Sequence, residues 1–132
     1  MRALILALTV VLGLSFFPAV AGANSVASSP KVVLTWSEAQ LDIYYSTLFA
    51  VMGQTEYVTP TVVLVPKDGH VLSMCNYGAT DMDAFYCSAD QTIYLGMDLM
   101  EKVADVDDFV PALVIAHEWG HFFAARKSGM LV

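Results

Sequence analysis

The sequence predicts a small α+β domain, a short β-sheet packed on one long helix. Three observations lead there. Phe109 to Lys127 reads as a long helix that contains His117-Glu118-Trp119-Gly120-His121. Thr61 to Val65 and Thr92 to Leu95 are rich in apolar and β-branched residues, as strands are. Ser37 to Met52 carries Leu41, Tyr44, Tyr45, Leu48 and Met52 at helical spacing.

The elements follow in chain order. Met1-Arg2 gives a positive start, and Ala3 to Phe17 is an almost unbroken apolar run. Pro18 breaks it, and Ala19-Val20-Ala21 and Ala21-Gly22-Ala23 supply small residues for cleavage. That order predicts a secretory signal over residues 1–23, and hence a secreted or periplasmic product. Left uncleaved, the run would be a membrane anchor, near the lower limit of the about 17–25 residues that span a bilayer. Residues 24–36 are expected to be a flexible mature N-terminus. Within it, Asn24 to Pro30 is patternless and Lys31 to Trp36 is an extended lead-in or strand. The domain proper is expected over residues 37–132.

Thr35-Trp36-Ser37-Glu38 fits a capping box for the first helix, and Gly53 can end it. Thr61 to Val65 is the first strand. Pro66-Lys67-Asp68-Gly69 turns the chain, so that His70 to Met74 can return beside it. Asn76 to Asp83 reads as a loop. Phe85 to Cys87 and Thr92 to Leu95 form a hairpin through Ser88-Ala89-Asp90-Gln91. The expected sheet is therefore Thr61 to Val65, residues beside Met74, and Thr92 to Leu95. Asp98 to Val103 is a short helix. Asp105, Asp107 and Asp108 precede the long helix, and Arg126 and Lys127 end it, which complements its dipole. Pro111 is tolerated in a first turn. Gly129 suits a terminator.

Thirteen acidic residues against six basic ones make the chain a poor partner for nucleic acid. The two cysteines, Cys75 and Cys87, suggest one disulfide in an exported chain, the alternative being two separate buried thiols.

Residues four apart share a helix face, so His117 and His121 can direct two imidazoles at one point. That suits zinc, which takes neutral imidazole at about 2.0–2.1 Å. Glu118 lies about 100° round the helix, where it can reach a water on the metal and serve as general base. The flanks Val110, Leu113, Val114, Ile115, Phe122 and Phe123 are apolar nearly all round, which predicts a buried helix. Gly120 costs such a helix about 1 kcal/mol against alanine, which suggests that another backbone comes close there.

Phe85-Tyr86-Cys87-Ser88-Ala89-Asp90, Thr92-Ile93-Tyr94-Leu95 and Ala116 to His121, with Cys75 upstream, resemble the neutral zinc metallopeptidases of bacteria, a branch of the HExxH zincins. The likeness runs from Cys75 to His121. It implies a zincin-like fold, Zn2+ held by His117 and His121, Glu118 as base, a Cys75–Cys87 bridge and a peptide or protein substrate. Zincins line the cleft with a strand that pairs with substrate backbone, and Thr92 to Leu95 is the expected counterpart.

Two departures stand out. Ser88 occupies a position where the family usually has proline. The family's third zinc ligand is expected from an acidic motif on a later helix, yet no acid follows Glu118. The expectation is a domain incomplete at its C-terminus. Its alternative is a catalytically inactive exported zinc-binding or scaffold module. Asp105, Asp107 and Asp108 lie two or more turns before His117 and are poor substitutes. His70 could complete a three-histidine site, but reads better as a turn residue. Asp81 and Asp83 are a weak calcium signal. Tyr86 and Tyr94 read as strand packing, with an oxyanion contact left unassigned.

Overall fold

The computed structural model describes residues 29–54, 56–75 and 78–128. The expected signal segment and Gly129 lie outside the described residues. Eight elements follow in order: α1 (Pro30–Val51), β1 (Thr61–Val65), β2 (His70–Leu72), β3 (Gly78–Thr80), β4 (Ala84–Cys87), β5 (Thr92–Gly96), α2 (Met97–Ala104) and α3 (Val110–Lys127). The architecture is the expected small α+β domain.

α1 begins earlier than expected. Pro30 stands in its first turn, where a fixed φ and a missing N–H cost nothing. Leu34 is fully buried in the core and anchors that turn. The capping box is therefore not used. The Thr35 hydroxyl donates back to the Lys31 carbonyl at 2.9 Å, inside the helix. Lys31 to Trp36 is helix, not strand or flexible lead-in.

β5 is the centre of a three-stranded sheet. It pairs parallel with β1, Val63 opposite Tyr94, and antiparallel with β4, Phe85 opposite Tyr94. The hairpin of β4 and β5 is the expected one. Every residue of β5 is buried, as expected of a strand covered on both faces. Ile93 and Leu95 face the helices, joining Leu34, Met100, Ile115, Trp119 and Phe122 in the main core. Tyr94 faces the other way, with Val65, Ala79 and Cys87.

β4, not the residues beside Met74, supplies the third strand. The return strand ends at Leu72 and pairs with β3 in a separate two-stranded sheet. β3 lies within the segment expected to be a loop. Gly78 allows the pairing, because the His70 ring occupies the place of its Cβ: Nε2 would lie 1.8 Å away. The Cys75–Cys87 disulfide, Cα to Cα 5.8 Å, ties the chain beyond β2 to the end of β4.

Gly96 passes the chain directly from β5 into α2. A Cβ there would stand 2.2 Å from the Asp81 carbonyl carbon. The Asp81 and Asp83 carbonyls accept the Leu99 and Gly96 amides at 3.0 and 2.7 Å. α3 packs on α1 and beneath the sheet, with Phe123 against Tyr45 and Phe49 at ring distances of 5.5 and 5.7 Å.

Candidate metal centre

α3 buries one stripe: Pro111, Ala112, Ile115, Glu118, Trp119, Phe122 and Ala125. The period is helical, so the opposite side is open. Leu113 is 55% exposed. The expectation of a helix buried all round is thus corrected: α3 is amphipathic by position, although its composition hides it. The apolar flanks reflect sequence content, not burial.

Glu118 lies on the buried stripe and is 5% exposed. His117 and His121 lie beside it at the stripe's edge, exposed. Their Nε2 atoms stand 3.0 Å apart, and the rings meet at 90° with centroids 4.6 Å apart. The ligand atoms of His117, Glu118 and His121 all fall within 4.8 Å of one another. All three predicted site residues are therefore together.

This arrangement fits zinc. Two nitrogens at about 2.05 Å from a tetrahedral ion are roughly 3.3 Å apart, close to the spacing seen here. The donor set also fits, two imidazoles with a carboxylate beside them. Among the described residues no further histidine, cysteine, aspartate or glutamate joins the group. His70 is elsewhere, on β2 over Gly78. Asp81 and Asp83 are engaged in turns. Asp81 accepts the Asp68 amide at 2.8 Å, and Asp83 accepts the Thr80 amide and hydroxyl at 2.7 and 2.8 Å. They form no metal group among the described residues. Asp107 accepts the Phe109 amide at 2.8 Å, ahead of α3.

The three residues open onto a cleft of about 510 Å3. Its far wall is β4 with the following turn: Ala84, Phe85, Tyr86 and Ser88. Ala124 and Ala125 continue the near wall along α3. This corrects the strand expected to meet substrate. β5 has β1 on one edge and β4 on the other, so its backbone has no edge left to offer. β4 is paired on one side only among the described residues, and it is β4 that lines the cleft. A hairpin read from sequence does not reveal which of its strands will be central.

The expected close approach at Gly120 is also corrected. Nothing among the described residues lies within 4 Å of a Cβ built there. Trp119, at the preceding position, points into the core and is 1% exposed. Its indole N–H lies near the Tyr57 hydroxyl and has no hydrogen-bond partner among the described residues. Tyr57 donates to the Asp42 carboxylate at 2.9 Å. Burial, followed by that bond, pushes the Tyr57 phenol up to about 12.

Comparison with known proteins agrees with the geometry. Residues 21–128 match the family described as "Putative neutral zinc metallopeptidase", and the chain belongs to that family. The family's description names zinc, and His117, Glu118 and His121 are the described residues that could hold it. Two curated relatives are the "Uncharacterized protein YpfJ" of Escherichia coli K12 and its namesake in E. coli O6:H1. Each is 38% identical over 77 residues, covering 55% of this chain and 26% of the relative. The chain thus matches about a quarter of the length of those relatives. No solved structure matches it.

Proposed function

We propose that this chain carries the zinc-binding and proton-transferring part of a peptidase that works outside the cytoplasm. The observation that carries the reading is the approach of the His117 and His121 Nε2 atoms beside the buried Glu118. The apolar run Ala3 to Phe17 and the disulfide support the location, since disulfides persist in oxidising compartments.

His117 and His121 would hold the metal. Zinc bound there would supply a Lewis acid and lower the pKa of its water towards about 7. Glu118 then acts as general base. It sits one residue after the first ligand, directed by the core-facing stripe of α3, and takes the proton of the attacking water. The same carboxyl passes that proton to the amine that leaves when the peptide C–N bond breaks. Core packing of Ile115, Trp119 and Phe122 fixes the helix that aims it. The edge of β4 away from β5 faces the cleft, where an extended substrate could align in the β-addition mode of peptide binding.

Zinc content and peptide cleavage, measured on wild type and Glu118→Gln, test this. The expected result is about one zinc per chain in both proteins, with turnover lost in the variant. Turnover that survives Glu118→Gln would remove Glu118 from the chemistry. Zinc without turnover in wild type favours the rival reading, an inactive zinc-binding or scaffold module. Among the described residues the metal group holds three side chains, one of them the expected base, so this measurement decides between the two readings.

A further inference from the structure

Two tyrosines stand on opposite faces of the β4–β5 hairpin, Tyr86 across from Ile93 and Tyr94 across from Phe85. Tyr94 donates its hydroxyl to the Asp90 carboxylate at 2.9 Å, on the face away from α3. Tyr86 is on the face towards α3, its ring edge-on to Phe122 at 5.8 Å, and it lines the cleft with His117, Glu118 and His121. Its hydroxyl oxygen is buried and has no hydrogen-bond partner among the described residues. A native protein rarely leaves such a group unmatched, and the exceptions concentrate where the group has another duty. Phenylalanine would give the same packing without that cost. Among the described residues Trp119 is the other buried donor without a partner, and it has the Tyr57 hydroxyl beside it.

We infer that the Tyr86 hydroxyl is a catalytic hydrogen-bond donor reserved for the substrate, taking the carbonyl oxygen of the peptide bond under attack as negative charge develops on it. The inference rests on the peptidase reading above. No proton changes hands in this contact: the phenol O–H stays intact and only its hydrogen bond strengthens. Burial holds the Tyr86 phenol above its ordinary pKa, so it remains a donor at neutral pH. A donor fixed in a dry site acts on developing charge more strongly than one facing water.

The test uses the full chain loaded with zinc, as wild type, Tyr86→Phe and Tyr94→Phe. Calorimetry measures the affinity of a phosphonamidate peptide, whose tetrahedral phosphorus carries the negative oxygens of the hydrolytic transition state. Turnover on a peptide mixture and melting temperature are read alongside. Tyr86→Phe is expected to bind the phosphonamidate about 10–100-fold more weakly and to lose turnover by a similar factor. Its zinc content should hold, and its melting temperature should equal or exceed that of wild type. Tyr94→Phe should show the opposite pattern, a lower melting temperature with affinity retained. Equal phosphonamidate affinity in wild type and Tyr86→Phe overturns the role of Tyr86 and leaves the peptidase reading standing. So does a Tyr86→Phe protein that melts lower and loses zinc together with affinity, since that marks a structural role. A zinc-loaded wild type that neither binds the phosphonamidate nor cleaves any peptide overturns both.

Discussion

His117 and His121 direct their Nε2 atoms at each other across 3.0 Å, one turn apart on α3. A single N–H···N hydrogen bond can join the rings, but a shared cation answers both nitrogens at once. Replacing either histidine by alanine is expected to reduce zinc from about one per chain towards none, because one imidazole and a carboxylate make a poor site. Zinc at about 100 times its dissociation constant should stabilise wild type by about 2.7 kcal/mol. His117→Ala should lose that gain in thermal unfolding. An equal shift in both proteins would mean that zinc binds elsewhere.

Gly120 sits mid-helix between the two histidines with open space where a Cβ would stand. Its backbone is helical, so alanine fits without strain. Gly120→Ala should therefore stabilise the fold by about 0.5–1 kcal/mol, through helix propensity and a less free unfolded chain. Urea unfolding measures it. A destabilised variant would show that some other backbone does come against this turn.

The site was legible because its chemistry is local. Three residues within five positions, on a segment long enough to be helical, need no tertiary information to be placed on one face. β1, β5, α2 and α3 were legible for the same reason. What failed depended on partners distant in sequence. Thr35 and Glu38 match a capping box, but Leu34, one residue earlier, is buried between elements, and that contact draws the helix start back to Pro30. β3 is Gly-Ala-Thr, too short and too small to announce itself, and becomes a strand only because His70 to Leu72 pairs with it. The composition of β5 suits a substrate strand, but β4 takes its outer edge in the fold. The Tyr86 and Tyr94 hydroxyls differ because the hairpin puts them on opposite faces, and Asp90 accepts from Tyr94 on its own face.

The Cys75–Cys87 bridge spans twelve positions and joins the chain after β2 to a fully buried residue at the end of β4. Closing a loop of that size stabilises by about 3 kcal/mol in the chain-entropy model. Replacing both cysteines by alanine should lower the melting temperature by on the order of 10–20 °C for a domain this small. Zinc uptake by the protein still folded should persist, since α3 carries both histidines. Loss of zinc at temperatures where the fold remains intact would show that the bridge shapes the metal group itself.

Tyr57 links the start of β1 to α1 by donating to Asp42, which also accepts the Thr59 hydroxyl. Only the protonated phenol can make that bond. Its folded pKa of about 12 lies above the ordinary value of 10.0, chiefly because of burial. A raised folded pKa favours the fold below the unfolded value, and that stability is lost as pH rises through the folded one. The stabilising contribution should therefore be complete below about pH 10 and vanish between about pH 10 and 12. Denaturant unfolding at pH 9 and pH 11 measures the loss. Tyr57→Phe removes the titrating group, so the variant should start less stable at pH 9 but lose less on going to pH 11. Parallel curves for the two proteins would place the alkaline transition on another group, such as Tyr45, whose phenol burial also raises.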